Sequence, residues 1–218
     1  MKTDVQLHKD VVDSLAFDLQ VDERDLTVGV HNAIVTISGT VPNYAQKYAV
    51  ERAIKRIAGV RGIAEELRVE LPHSHRRNDT DIAAAAVSAL AWNTFVPAAS
   101  VQVTVENGAV TLAGELDWEF QRSEAEAAVR NLKGVTEITN LITLKSGKFV
   151  GPRDVKEKIE RAFSRTAESE AKRISVETVG GKVTLKGVVH TLTERDEAVR
   201  AAWHVPGVTR VDNLLTIG

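Results

Sequence analysis

Cysteine is absent from the sequence. Its absence removes disulfides, iron–sulfur clusters, thiolate zinc sites and cysteine nucleophiles at once. Aromatic residues fill only 5% of the 218 positions, and proline occurs five times. Neither charge dominates: Lys and Arg number 28 against 30 Asp and Glu, a net of −2. A general nucleic-acid binder is normally strongly basic, so no nucleic-acid partner is expected. Long hydrophobic runs are missing too. The longest, residues 82–92, is interrupted by Ser88, whereas a membrane-spanning helix needs about 20 apolar residues. Residues 1–8 are polar and charged where a signal peptide needs an apolar core. The expectation is a cytoplasmic protein with at most peripheral membrane contact and no transmembrane segment. What is present, 43% apolar and 27% charged residues, is the composition of a soluble globular protein.

Catalytic signatures are equally scarce. The chain has no Walker loop, no G-x-G-x-x-G after a strand, no G-x-S-x-G elbow and no H-E-x-x-H. Neither an enzymatic activity nor a cofactor is expected. The histidines are scattered at His8, His31, His73, His75, His190 and His204. His73 and His75 could share a face of an extended chain, but no acidic residue nearby completes the three or four ligands zinc requires. No metal site is expected, and Arg76 and Arg77 beside them read as part of a polar hinge.

Internal repetition organises the rest. The segment 32–41, NAIVTISGTV, recurs as NGAVTLAGEL at 107–116 and as GGKVTLKGVV at 180–189. A Gly-Val pair follows each anchoring glycine by 20 residues, at Gly59-Val60, Gly134-Val135 and Gly207-Val208. An alanine lies 14 residues past each anchor, at Ala53, Ala128 and Ala201. The anchors Gly39, Gly114 and Gly187 are spaced by 75 and 73 residues, so small domains stand in tandem.

Each unit opens with an amphipathic stretch, at 5–15, 82–92 and 155–163. Two alternating apolar runs follow across a tight turn. Asn107-Gly108 is a strong hairpin signal because both residues accept positive φ. Gly180-Gly181 serves equally, while Asn32-Ala33 predicts a looser or longer turn. A second helix comes next, with Asn43/Gln46 and Thr191/Glu194 as capping-box patterns. Its buried stripe reads Val50/Ala53/Ile54/Ile57, Ala125/Ala128/Val129/Leu132 and Ala198/Ala201/Ala202/Val205. The Gly-Val pair ends the helix, and a last strand follows at 62–69, 137–144 and 211–217. The predicted fold is α+β: three αββαβ modules at 1–72, 79–146 and 150–218. Each is a three-stranded mixed sheet with two helices on one face. The anchoring glycines should exclude a side chain that would clash with the second helix or with an unusual backbone angle. Gly59, Gly134 and Gly207 are the matching structural positions at the helix end.

Modules of this size are marginal alone, which predicts that they dock. Charge favours contact, since the middle module carries −5 and the third +3. The stretch 82–92 is apolar nearly all round, and a helix of that kind is expected to lie between its own sheet and a neighbour. The alternative is an interfacial anchor inserting Trp92 and Phe95. That helix lacks the basic face such anchors usually carry. Trp118, Phe120 and Trp203 read as core or docking residues.

The second helix of module 1 stands apart. Tyr44, Lys47, Tyr48, Arg52, Lys55 and Arg56 surround its apolar stripe, and residues 44–61 carry a net of +4. Aromatics interleaved with bases suit an anionic phospholipid surface; an ordinary solvated face is the alternative.

The repeated residues resemble the BON domain family. They are Val35/Ile37/Gly39/Val41 with Ala53 and Gly59-Val60; Val110/Leu112/Gly114/Leu116 with Ala128, Gly134-Val135 and Asn140-Leu141; and Val183/Leu185/Gly187/Val189 with Ala201, Gly207-Val208 and Asn213-Leu214. Module 1 has Glu65-Glu66 where the others have Asn-Leu. The resemblance implies the same αββαβ fold and a non-enzymatic role in osmotic or envelope stress. It implies contact with phospholipid surfaces or protein partners, in a family whose members are commonly exported. The leading expectation is binding of anionic phospholipid through module 1. The alternative is a soluble holdase or assembly adaptor that binds protein.

Overall fold

A computed structural model of the chain describes residues 2–145, 174–179, 181–203, 205, 208 and 210–218. Module 1 runs α1 (Asp4–Phe17), β1 (Leu26–His31), β2 (Ile34–Val41), α2 (Tyr44–Lys55) and β3 (Gly62–Val69). Module 2 repeats the order with α3 (Asp79–Trp92), β4 (Val101–Glu106), β5 (Ala109–Leu116), α4 (Glu119–Arg130) and β6 (Glu137–Leu144). The described part of module 3 comprises β7 (Ile174–Val179), β8 (Lys182–Val189), α5 (Leu192–Trp203) and β9 (Arg210–Ile217). The helix expected at 155–163, the junction between modules 2 and 3, Gly180 of the third expected turn and Gly207 lie outside the described residues.

Each sheet has its middle strand paired antiparallel to the first and parallel to the third. The parallel pair requires a crossover, which α2, α4 and α5 supply. Alternation puts Val35 and Ile37 on the covered face of β2, where they meet Leu7, Val11 and Leu15 of α1 and Val50, Ala53 and Ile54 of α2. The same arrangement in module 2 uses Ile82, Ala86 and Leu90 with Val110 and Leu112. Each fully buried aliphatic side chain contributes roughly 1.5–3 kcal/mol, so these stripes hold the helices to their sheets.

The hairpin of module 1 departs from expectation. Residues 32 and 33 form a two-residue turn of the same length as 107 and 108, with His31 opposite Ile34 and Glu106 opposite Ala109. Ala33 is held at φ +61° and Asn32 at φ +51°. The physical cause is Asp4, whose carboxylate accepts the backbone N–H groups of Asn32 and Ala33, both at 2.9 Å. Asp79 does the same for Asn107 and Gly108. These two hydrogen bonds hold the Asp4 carboxyl below its ordinary pKa. A helix N-terminal carboxylate therefore fixes the turn that alanine by itself disfavours.

Gly39 and Gly114 sit at φ +132° and +141°. An added Cβ would lie 2.0 Å from the Asp25 carbonyl oxygen in module 1 and 2.1 Å from that of Ser100 in module 2. The obstacle is thus the backbone entering the neighbouring strand rather than the second helix. Gly187 shares the positive φ. Gly59 and Gly134 follow the second helices, where an added Cβ would meet Leu7 and Ile82 of the first.

The capping boxes form only in part. Asn43 caps α2 by accepting the Gln46 N–H at 2.8 Å, but the Gln46 amide donates to the Asp22 carbonyl instead of returning to the cap. Thr191 accepts the Glu194 N–H, while the Glu194 carboxylate accepts that of His190. The Glu65 departure in module 1 is compensated locally: Lys47 pairs with it at 2.8 Å. Module 2 has Arg122 and Asn140 at those positions, where the Asn140 amide donates to the Arg122 carbonyl.

Candidate interaction surface

Helix α2 lies where the three modules meet. Leu192, at the start of α5, is buried in the core of module 1, and Ile217 packs against the cores of both modules 1 and 3. The Gly59 N–H donates to the His190 carbonyl at 3.0 Å. On the other flank, Tyr44 packs onto the core of module 2. The Arg130 guanidinium stands 3.5 Å from the centre of the Tyr48 ring, a cation–π contact favoured by partial burial. Helices α2, α4 and α5 border a groove of about 580 Å³ whose walls mix Arg130, Arg195 and Arg200 with Glu119, Glu126 and Asp196.

The six residues predicted for lipid contact are on α2 or its C-cap, and five of them are half-buried. Lys47 pairs with Glu65. Arg52 donates to Gln20 at 2.8 Å and lies 3.9 Å from Asp18. Lys55 bridges Glu51 at 2.9 Å and Asp196 of module 3 at 3.1 Å. Burial alone would lower the Lys55 pKa, but the hydrogen bonds and charges of those two carboxylates outweigh it and leave it raised. Burial pushes the Tyr44 hydroxyl up to about 12, and the charge of Glu126 adds to the effect. Arg56 is exposed.

Exposed apolar side chains occur in module 1, at Val5, Val12, Phe17 and Leu19, and in module 2, where several are aromatic. Helix α3 buries only the stripe Ile82, Ala86 and Leu90. Val87 on its outer side is 55% exposed and Trp92 is 87% exposed. Among the described residues no neighbouring module covers this helix, and the docking contacts they make run through α2. Beyond the end of α3, Phe95 is 60% exposed and meets Phe120 edge to face, with ring centres 6.2 Å apart. Trp118, immediately before α4, is also exposed. Trp118 and Phe120 thus lie at the surface rather than in the core, whereas Trp203 packs against the core of module 3.

The edge of this aromatic end is acidic. Glu115 and Asp117 are exposed, with Lys145 3.2 Å from Asp117. The Asn93 amide donates to Glu124 at 3.4 Å, tying the end of α3 to α4. Glu119 is buried and paired with Arg122 at 2.8 Å. The sequence pairs Phe95 with Trp92 and Phe120 with Trp118. The contact between Phe95 and Phe120, 25 positions apart, exists only in the fold.

Among the described residues no group of three His, Asp or Glu side chains is placed to hold a metal. His73 and His75 lie in a short 3-10 turn. The described residues contain no helix long and apolar enough to cross a membrane.

The family model described as "BON domain" matches residues 3–70, 78–146 and 153–218. A curated relative, "Osmotically-inducible protein Y" of Escherichia coli (strain K12), is 27% identical over 124 residues. That alignment covers 55% of this chain and 62% of the relative's length. Among solved structures, the C-terminal domain of CdsD, a structural protein of the type III secretion system of Chlamydia trachomatis, is 13% identical. It covers 98% of both chains with a TM-score of 0.26.

Proposed function

Because the chain belongs to the BON domain family, carrying three such domains, we propose that it is a non-enzymatic, stress-associated binding protein for exposed apolar segments of other proteins. The observation that carries this reading is the aromatic end of module 2, where Phe95, Trp118 and Phe120 face solvent. Aromatic side chains supply large contact areas, about 150–250 Å² each when buried. Exposed aromatics grouped around such a ring pair are the kind of surface that marks an interaction site.

The chemistry of the partner follows from charge. Module 2 carries −5, so an anionic bilayer would be repelled where these rings would have to insert. The bases of α2 that could attract such a bilayer are mostly engaged within the chain: Lys47 with Glu65, Arg52 with Gln20 and Asp18, Lys55 with Glu51 and Asp196. A partly unfolded polypeptide offers apolar side chains without that penalty. The relation to the osmotically inducible protein supports the stress association.

Aggregation of a chemically unfolded client, followed by light scattering, tests the proposal. The full chain should suppress scattering at low salt and as well or better at 0.5 M salt, because apolar contact survives screening. The double variant Phe95→Ser/Phe120→Ser should lose suppression while keeping its circular dichroism spectrum. Undiminished suppression by that variant would overturn the assignment of the surface. Failure of the wild type to suppress would overturn the client-binding function.

A further inference from the structure

Helix α3 presents a second apolar face that no other described residue covers. Ala84, Val87, Ser88, Ala91 and Trp92 are all exposed and recur at helical spacing opposite the buried stripe. From residue 82 to residue 105 the sequence contains no charged side chain. The acidic residues of α3, Asp79 and Asp81, are confined to its first turn, where the helix dipole favours them.

Comparison between repeats shows that this face is not a requirement of the fold. In α1, 75 positions earlier, the corresponding residues are Lys9, Val12, Asp13, Ala16 and Phe17. Lys9 and Asp13 of α1 correspond to Ala84 and Ser88 of α3, while Val12 and Phe17, like Val87 and Trp92 in the same register, are apolar and exposed. The packing against the sheet is unchanged, since Leu7, Val11 and Leu15 match Ile82, Ala86 and Leu90.

We propose that this face of α3 is a self-association surface, pairing antiparallel with α3 of a second copy about a two-fold axis at Ser88. Three observations select a second copy as the occupant. First, module 2 carries −5, so two copies can meet closely only through an uncharged patch, and α3 provides one. Second, the face is complementary to itself. Antiparallel pairing about Ser88 sets Trp92 opposite Ala84 of the other copy, and Ala91 opposite Ala85, at both ends. A large side chain meets a small one, and small residues let the helices approach. Third, the area fits a weak symmetric contact. The exposed side chains of this face amount to roughly 500 Å² per copy. The total, about 1,000 Å², is at the lower limit for a specific interface, the size of weak and transient contacts. Phe95 and Phe120 lie beyond the paired segment, so this inference stands apart from client binding.

The cysteine-free chain makes the test direct. Ser88→Cys introduces the only thiol, and across a two-fold axis two such thiols can form a disulfide. Under mild oxidation at 50 µM, Ser88→Cys should form a covalent dimer at least 10-fold faster than Asp13→Cys, the matching position on α1. In sedimentation equilibrium the wild type should pass from monomer to dimer between about 5 and 500 µM. Ser88→Glu and Ser88→Lys should each remain monomeric, and their equimolar mixture should dimerise. A wild type monomeric throughout, equal oxidation of the two cysteine variants, or no rescue in the mixture would overturn the proposal. A monomeric wild type that pellets with phosphatidylcholine vesicles, with pelleting abolished by Ser88→Glu, would assign the face to lipid and equally overturn it. The Phe95→Ser/Phe120→Ser variant should dimerise normally, which separates this result from the client-binding assay.

Discussion

Replacing Ala33 by glycine should stabilise the chain, although no contact is added. Ala33 stands at φ +61°, where an L-residue is strained by about 1–2 kcal/mol. Glycine relieves that strain, but its freer unfolded chain costs back about 0.4–1 kcal/mol. The net gain is about 0.5–1 kcal/mol, a rise in Tm of about 2–3 °C for a chain of this length. The reciprocal change at the equivalent position, Gly108→Ala, should lower stability by more. It imposes the same strain at φ +81°, and its Cβ would lie 2.7 Å from the Gly134 carbonyl oxygen and 3.1 Å from the Thr136 side chain. Relieving that overlap adds about 1–3 kcal/mol, for a net loss of about 2 kcal/mol and a fall of about 5 °C. Differential scanning calorimetry of both variants decides the matter. A lower Tm for Ala33→Gly, or shifts of the same sign in both, would refute the argument that Asp4 holds a strained turn.

The same turn carries a pH dependence. The folded-state pKa of Asp4 is depressed by the Asn32 and Ala33 N–H groups, so its contribution is present above the ordinary carboxylate value of about 3.9 and lost as pH falls through the folded value. The stability gap between wild type and Asp4→Asn should therefore shrink on acidification in denaturant titrations; a gap independent of pH would contradict it. Gly114→Val should cost more than about 3 kcal/mol in denaturant unfolding, through backbone strain and the Ser100 carbonyl together. Lys55 and Asp196 join modules 1 and 3 across half-exposed side chains. A double-mutant cycle should return a coupling of about 0.3–1 kcal/mol that falls with salt. In the Tyr48→Phe variant the remaining tyrosine, Tyr44, should ionise near pH 12 by ultraviolet absorbance; ionisation near pH 10 would mean it is not buried against module 2.

The αββαβ unit was legible because three copies share one register, and the spacing of Gly39, Gly114 and Gly187 located the described elements around them. What escaped were contacts between residues distant in sequence. Asn32-Ala33 reads as a poor turn until Asp4 is seen to accept both N–H groups. The bases of α2 read as a lipid-facing cluster because sequence displays a charge without its partner. Glu65 and Asp196 lie 18 and 141 positions from the lysines they pair with, and Arg130 reaches Tyr48 across a module boundary. The apolar run 82–92 was plain, yet whether a neighbour would cover it depended on docking geometry that local patterns do not encode.

Client binding by the aromatic end of module 2 has a direct spectroscopic reporter. The chain holds three tryptophans, and the variant Trp92→Phe/Trp203→Phe leaves Trp118 as the sole indole, exposed at that end. At 1 µM protein, adding an unfolded apolar client should shift its emission to shorter wavelength at both 0.05 and 0.5 M salt, while phosphatidylglycerol vesicles should leave it unchanged. A blue shift produced only by the vesicles and abolished by salt would contradict the account.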